Sequence, residues 1–457
     1  MDQNHAQVAS PTQARRVWVS SFLGATIEFY DFSIYSTASA LVLAPLFFAA
    51  ASPTVGLAIS FGTLAIGYAA RPVGAAIFGH YGDRIGRKST LIATIVLMAA
   101  ATFLIGCLPT TAQIGELAPI LLILLRLLQG VSVGGEWGGA VVMTTEHSTE
   151  GRRGLMGSAT LTGASAGVLL GFVAYAIIVP LSGDGFLSWG WRVPFWVTAL
   201  LFGLAIYMRL KVTESPVMVK LQEDQAAQDQ AVQKQDLPIK ALFTRYPGTV
   251  FKAAGVFVGA FMLQQVMISF FVSYAVSDLG QSRSAMVTAS MIGVAVSFVG
   301  IPLAGLLTDR FGRRPVLITG LVLQTLNCLL IWPLLSSRNY GLILVSFCLV
   351  FLFHSLCYAP LGALFSELFP SAMRYTGVSM AYQIASLIGG FGPLFATLLI
   401  AGGLSPLWVI GMLLLALLVS ITCALLMPRT DYVDLAEIGV APAAAPAPSV
   451  LVEGSAR

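Results

Sequence analysis

Long apolar runs recur along the whole chain and limit what it can fold into. Twelve runs can be marked, at 17–47, 54–79, 90–109, 118–145, 155–180, 190–210, 248–278, 284–308, 316–335, 340–365, 375–402 and 404–427. About 20 helical residues, rising about 1.5 Å each, cross a hydrocarbon layer of roughly 30 Å. The sequence therefore predicts an all-α membrane protein with twelve transmembrane helices.

Composition agrees with that prediction. Only 10% of the residues are charged and 57% are hydrophobic, whereas a soluble domain carries roughly 25% charged residues. All five cysteines lie inside apolar runs: Cys107, Cys328, Cys348, Cys357 and Cys423. Because their spacing is not that of metal ligands, we expect no metal site. Because the sequence shows neither a P-loop nor a nucleophile-base constellation, we expect neither an enzyme nor a transport ATPase, and no cofactor.

Basic residues are distributed unevenly between the two sides of the predicted helices. Alternate loops and both termini hold 20 of the 25 Lys and Arg residues, and the opposite loops hold Arg192, Arg283 and Arg338. Lys and Arg are retained on the cytoplasmic side of bacterial and other cell membranes. We therefore expect a multi-pass protein of the inner or plasma membrane with both termini cytoplasmic. The net charge of +4 reflects this topology and gives no case for nucleic-acid binding.

The chain divides into halves that repeat one another. The motif Gly79-His80-Tyr81-Gly82-Asp83-Arg84-Ile85-Gly86-Arg87-Lys88 follows the second run, and Gly305-Leu306-Leu307-Thr308-Asp309-Arg310-Phe311-Gly312-Arg313-Arg314 follows the eighth. A weaker repeat matches Glu146, Arg153 and Gly154 in the first half to Glu367, Arg374 and Gly377 in the second. We predict a cytoplasmic segment 1–16, a six-helix bundle 17–210, a cytoplasmic linker 211–247, a second bundle 248–427 and a disordered tail 428–457. The linker is either one or two surface helices or a solvated chain.

The paired motifs resemble the signature of the major facilitator superfamily, and the resemblance covers nearly the whole chain. Other stretches resemble its metabolite:proton symporter family: Glu28-Phe29-Tyr30-Asp31-Phe32, Arg71-Pro72-Val73-Gly74, Gln129-Gly130, Gly134-Gly135-Glu136-Trp137-Gly138-Gly139 and Trp189-Gly190-Trp191-Arg192-Val193-Pro194-Phe195. In the first of the paired motifs, Tyr81 stands where Leu is usual. Members of that family carry shikimate, α-ketoglutarate, citrate, proline or betaine. The resemblance implies two pseudo-symmetric six-helix bundles in a monomer that imports a small polar metabolite with protons, driven by the proton gradient.

Five ionisable residues within the predicted spans are notable, because a charge there costs at least about 2.5–3.5 kcal/mol: Glu28, Asp31, Arg71, Arg126 and Glu136. Glu28 and Asp31 are three residues apart and share one helix face. By resemblance to proton-coupled members, Asp31 is the proton site and Arg126 its switchable partner, with a static buried ion pair as the alternative. Glu28 is either a second proton site or a substrate ligand.

Two further groups of charges are expected to gate or staple the bundles. Glu136 lies about 15 Å along its helix from Arg126, so we expect Arg71 to be its partner instead. The motif residues are expected to pair with neighbouring helix ends and to latch the outward-facing state, besides fixing topology: Asp83, Arg84, Arg87, Lys88, Asp309, Arg310, Arg313 and Arg314.

Polar and aromatic side chains within other spans are candidates for the substrate cavity: Tyr30, Tyr35, Gln264, Gln265, Tyr274, Asn327, His354, Tyr358 and Gln383. His354 is equally compatible with a hydrogen-bonded core histidine. Two other functions stay open, namely proton-coupled export on the same fold and a transporter-like sensor. The fifth run has no Gly-Pro pair of the kind expected in drug exporters of the superfamily, which favours import.

Overall fold

The computed structural model describes residues 11–48, 53–149, 151–227, 238–430 and 435. The start of the predicted N-terminal segment, the middle of the linker and nearly all of the tail lie outside these residues. Within the described residues the linker contains two short helices, Pro216–Ala227 and Pro238–Arg245.

Twelve long helices make up most of the described part of the chain. In chain order they are Pro11–Ala38 (α1), Pro53–Arg84 (α2), Arg87–Cys107 (α3), Leu117–Glu146 (α4), Arg153–Ser182 (α5), Val193–Leu210 (α6), Pro247–Gln265 (α7), Arg283–Phe311 (α8), Arg313–Ser336 (α9), Tyr340–Tyr358 (α10), Arg374–Gly390 (α11) and Pro406–Leu425 (α12). By length and composition, ten helical stretches of the described chain can cross a membrane. The other two long helices, α1 and α2, have 28 and 32 residues and carry intramembrane charges. The protein is therefore a multi-pass membrane protein.

Four helices continue past a local irregularity. α1 runs through a π-helical turn, Ser39–Leu43, and α7 through another, Val266–Phe271. α10 continues as Leu361–Leu368 and α11 as Gly392–Ala401. A π-turn widens the helix by one residue and is often found at functional sites. Here the two π-turns occur in the first helix of each half.

The six helices of each half pack in the same pattern. In the first half α1 packs against α5 and α6, α2 against α4, and α3 against α4 and α6. In the second half α7 packs against α11 and α12, α8 against α10, and α9 against α10 and α12. Two equivalent contacts, α2 with α11 and α5 with α8, join the halves. The molecule thus consists of two pseudo-symmetric six-helix bundles.

Glycines bring the central helices together. A Cβ atom at Gly167 of α5 would lie 2.2 Å from the Thr26 carbonyl oxygen of α1, and one at Gly134 of α4 would lie 2.1 Å from the Arg71 carbonyl oxygen of α2. Such distances exclude any larger residue without movement of the backbone. Glycine thus allows α5 to pack closely against α1, and α4 approaches α2 in the same way.

The paired motifs are mostly helical and turn sharply at one glycine each. Gly86 has a φ of 131° between α2 and α3, and Gly312 has a φ of 90° between α8 and α9. Positive φ is readily adopted only by glycine. The turns place Asp83 and Asp309 in the last turns of α2 and α8. We call the side of the molecule that carries both motifs, 79–88 and 305–314, the motif side.

Candidate functional site

Asp31 and Arg126 are joined through Gln129. The Gln129 amide nitrogen donates to Asp31 Oδ2 at 2.9 Å and to Thr102 Oγ1 at 2.7 Å, and Arg126 Nη1 donates to Gln129 Oε1 at 3.0 Å. Asp31 is 2% exposed and Arg126 is 4% exposed. The direct pair expected between them is replaced in this conformation by an amide that contacts both. The sequence places Gln129 in a motif, but spacing along one helix does not show that its side chain faces α1.

The guanidinium groups of Arg126 and Arg71 lie on aromatic rings. Arg126 is 4.0 Å from the centre of the Tyr35 ring, and Arg71 is 4.2 Å from that of Tyr68. Phe32 lies between them, 5.6 Å from Arg71 and 5.9 Å from Arg126. Within the described chain, neither guanidinium has a carboxylate oxygen within 4.0 Å. Cation–π contact therefore holds both arginines in place.

Glu136 pairs with Arg209 at the end of α6, and the expected pair with Arg71 is wrong. Arg209 Nη2 donates to Glu136 Oε1, and Thr94 Oγ1 donates to Glu136 Oε2 at 2.6 Å. Arg209 is 2% exposed, and Gly24 of α1 leaves the space that its guanidinium occupies. Arg209 lies at the end of the sixth apolar run, 190–210, and the sequence does not show that its side chain points into the bundle.

Glu28 lies one turn from Asp31 in α1 and is also buried. Its Oε2 atom has no hydrogen-bond partner among the described residues, and neither does Asp31 Oδ1. Asp31 is joined to Arg126 through Gln129, and Arg71 lies 5.6 Å from the ring of Phe32, the neighbour of Asp31 in α1. Asp31 with Arg126 and Glu28 with Arg71, which we call the two acid–arginine couples, therefore stand in the middle of the first bundle, and neither forms an ion pair within the described chain.

On the motif side, each motif aspartate binds the start of a helix in the other half. Asp83 accepts from the backbone N–H groups of Tyr375 and Thr376, at 3.0 and 2.9 Å, and from the Thr376 hydroxyl at 2.8 Å. Asp309 accepts from the N–H groups of Gly154 and Leu155, at 2.6 and 2.9 Å. A carboxylate is stabilised by the free N–H groups and dipole at a helix N-terminus. We call Asp83 and Asp309 with these partners the aspartate latch.

A glutamate at the end of α4 adds a second contact between the halves. Glu146 accepts from Arg374 Nη1 of α11 at 2.7 Å, and Arg87 Nε of α3 lies 3.4 Å from Glu146 Oε2. The Ser215 hydroxyl donates to the same carboxylate. All three charged side chains are buried.

The second half repeats this arrangement. Glu367 Oε1 lies 3.1 Å from Arg313 Nη2 of α9 and 3.3 Å from Arg153 Nη1 of α5, and Glu367 Oε2 accepts from Thr430 Oγ1 at 2.8 Å. We call Glu146 and Glu367 with their arginines the glutamate clasp. The repeated Glu and Arg of the sequence were the signal for it, but their partners could not be assigned without the fold. With the aspartate latch, the clasp closes the motif side of the molecule.

The other motif residues lie around this closure. Lys88 Nζ donates to the Leu210 carbonyl at 3.2 Å and Arg314 Nη2 to that of Leu425 at 2.5 Å. Arg310 is exposed and lies over the Phe311 ring, and Arg84 is exposed as well. Within the described chain, Lys88, Arg310 and Arg314 thus lie at the edge of the buried network.

Several cavity candidates lie where the halves meet. Gln265 Nε2 donates to the Tyr68 hydroxyl at 3.2 Å, and Gln383 Nε2 lies 3.5 Å from the Gly134 carbonyl oxygen. Tyr358 accepts from Trp137 Nε1 at 3.3 Å. Trp137 was quoted only within a motif, yet it stacks on Tyr382 with ring centres 3.7 Å apart.

Other candidates lie elsewhere. Tyr30 donates to the Pro194 carbonyl inside the first bundle, and Tyr274 packs on Phe270 and Trp332 in the second. The Tyr35 ring lies against the guanidinium of Arg126, and His354 packs beside Tyr358. Asn327 is buried within the second bundle, and Gln264 is half-buried.

Comparison with known proteins agrees with this architecture. The model of the sugar (and other) transporter family matches residues 17–441. The inner membrane metabolite transport protein YhjE of Escherichia coli is 37% identical over 84% of this chain and 88% of its own length. The shikimate transporter of the same bacterium is 35% identical, over 86% and 89%.

A solved structure shares the fold. The proton:xylose symporter XylE, bound to 6-bromo-6-deoxy-D-glucose, superposes with a TM-score of 0.75 at 19% identity, covering 93% of this chain and 98% of that one. These relatives are transporters and not enzymes. The chain belongs to the sugar (and other) transporter family, and it shares the fold of XylE, a protein of the major facilitator superfamily.

Proposed function

We propose that the protein imports a small polar metabolite together with protons, by alternating access. The observation that carries this proposal is the pair of buried carboxyl groups in α1, Asp31 and Glu28, each beside an arginine with which it forms no direct ion pair. The proton affinity of a buried carboxylate changes when a cation approaches or withdraws. A movement of α1 relative to α2 and α4 would therefore load or release a proton.

Gln129 supplies the means of coupling. It donates to Asp31 and accepts from Arg126, so a shift of either helix changes the environment of both charges. A substrate that draws Arg126 away from Gln129 would change the environment of Asp31, because Gln129 is hydrogen-bonded to both residues. This route makes Asp31 the main coupling residue and Glu28 the second.

The closed motif side supports an orientation and a conformational state. We propose that the motif side is cytoplasmic, as the basic residues of the loops indicate, so that both termini are cytoplasmic and this conformation is closed to the cytoplasm. Inward opening would break the aspartate latch and the glutamate clasp. We retain the predicted boundaries for the bundles, 17–210 and 248–427, and propose that one chain is the functional unit in the inner membrane.

Similarity to the shikimate transporter supports an organic acid as substrate, and similarity to the proline/betaine transporter of Escherichia coli supports a betaine or an amino acid. XylE, which shares the fold, is named a proton symporter. Export on the same fold is the second candidate, and the missing Gly-Pro pair in α5 is the observation against it. A sensor would bind the ligand without moving it.

Uptake by right-side-out vesicles tests the proposal. Labelled organic acids, betaines and amino acids are supplied with an inward proton gradient, at equal pH, and with a protonophore. We expect one of them to accumulate only when the gradient is present. Accumulation unaffected by the protonophore contradicts proton symport, and gradient-driven loss of preloaded substrate indicates export.

A further inference from the structure

Two buried guanidinium groups face the same aromatic ring at the centre of the first bundle. Arg71 comes from α2 and Arg126 from α4, and Phe32 of α1 lies 5.6 and 5.9 Å from them. Arg71 is 8% exposed and Arg126 4%. The Nε atoms of both have no hydrogen-bond partner among the described residues. Unpaired buried cations are costly, and such groups in a membrane protein commonly serve a ligand.

The charges nearby leave these two arginines available. Arg209 is occupied by Glu136 in an ion pair. Asp31 already accepts from Gln129, and Glu28 forms no ion pair within the described chain. With both acids ionised, the two couples carry no net charge. An anion that enters this group adds one negative charge, and protonation of Asp31 or Glu28 restores neutrality.

We propose that the substrate is an organic acid whose carboxylate binds between Arg71 and Arg126, with its carbon skeleton against Phe32. The inference rests on the proposed transport function and names its substrate class. A planar guanidinium binds a carboxylate through two parallel hydrogen bonds, which a hydroxyl or an ammonium group cannot form. Phe32 is half-buried and offers an apolar surface beside both cations.

The same geometry disfavours the other substrate classes. A betaine also carries a carboxylate, but its quaternary ammonium group would lie close to the two guanidinium groups. The aromatic faces of Tyr35 and Tyr68 that could bind such a cation are already covered by the arginines. A neutral sugar has no carboxylate and would leave both guanidinium groups without a direct ion pair. An organic anion can form that pair, and the negative charge it adds calls for a proton.

Binding to the purified full-length protein tests the class directly. Melting temperature is measured with shikimate and with succinate, with their methyl esters, and with choline and xylose. A ligand that binds only the folded protein raises the melting temperature with its concentration. We expect at least one of the two acids to bind at least tenfold more tightly than its ester, and choline and xylose to bind no better than the esters.

Matched variants locate the site. Arg71→Gln and Arg126→Gln are each expected to weaken binding of the acid at least tenfold. Arg338→Gln, which removes an exposed positive charge outside the site, is expected to leave binding unchanged. Elution of each variant as a single symmetric peak shows that it is folded, and the comparison of acid with ester on the wild-type protein does not depend on the variants.

The possible results separate this inference from the proposed function. Equal or tighter binding of the ester, of choline or of xylose overturns the organic-acid assignment, even where uptake of that ligand follows the proton gradient. Acid binding that both glutamine variants retain at full strength overturns the site. If the acid binds only when both arginines are present, but its uptake does not depend on pH, this inference is upheld and proton symport is contradicted.

Discussion

At the scale of single residues, the chain of hydrogen bonds from Asp31 through Gln129 to Arg126 is the most consequential feature. Arg126 contributes to it in two ways, since it donates to Gln129 and lies over the Tyr35 ring. We predict that Arg126→Lys abolishes most transport. An ammonium group cannot keep both contacts, because it is neither planar nor able to donate from several fixed positions.

Initial uptake rate and half-saturation concentration measure this effect. We expect a fall in rate of at least tenfold with the protein still inserted in the membrane. Near-normal uptake at unchanged affinity would reduce Arg126 to a packing role.

The Glu136–Arg209 pair makes a different prediction, about stability. Removal of one partner leaves a buried charge uncompensated, at a cost of about 3–5 kcal/mol. We predict that Arg209→Gln lowers the melting temperature, and that Glu136→Gln in the same chain restores part of the loss. A double variant that loses as much as the two single variants together would show that the two groups do not interact.

The sequence could identify the buried charges but not all of their partners. Charges within apolar runs single out Asp31, Arg71, Arg126 and Glu136 without a structure. Spacing along one helix does not show which neighbouring helix faces it. For that reason Arg71 was assigned to Glu136, and Arg209 was missed.

At the scale of helices, the aspartate latch ties α2 to α11 and α8 to α5. We predict that Asp83→Asn or Asp309→Asn shifts the protein toward the state open on the motif side. An amide keeps the size of the side chain but loses the charge that the helix N-terminus stabilises. A bias of about 1–3 kcal/mol is typical of coupling between conformational states.

Labelling of single cysteines from each side measures the shift. We expect more labelling from the motif side and less from the opposite side, with Lys220→Gln on the exposed linker helix as the control for loss of a charge. Unchanged labelling in both single variants and in the double variant would limit these aspartates to a topological role and leave the glutamate clasp as the closure.

The repeat explains why the latch could be foreseen and the clasp only in part. The paired motifs place an aspartate at equivalent helix ends, and free N–H groups at a helix start are their natural partners. Glu146 and Glu367 were recognised as a repeat. Their arginines come from different helices, two of them across the halves, and only the packing of α2 on α11 and of α5 on α8 brings them together.

At the scale of the whole molecule, we propose that substrate and protons cross together and that Asp31 couples them. In the proposed mechanism, the two pseudo-symmetric bundles, closed here on the motif side, would alternate between this state and one open on that side. The helix number and the fold could be predicted from apolar runs and the repeated motif. The coupling geometry could not, because it depends on how α1, α2 and α4 face one another.

The most direct test is the pH of a lightly buffered suspension of right-side-out vesicles after addition of the labelled substrate. With wild-type protein we predict that the medium becomes more alkaline as substrate enters, because protons enter with it. With Asp31→Asn we predict substrate binding but no alkalinisation, since the amide cannot take up and release a proton. Substrate uptake by the wild-type protein without any pH change, or an equal change in Asp31→Asn, would contradict the account.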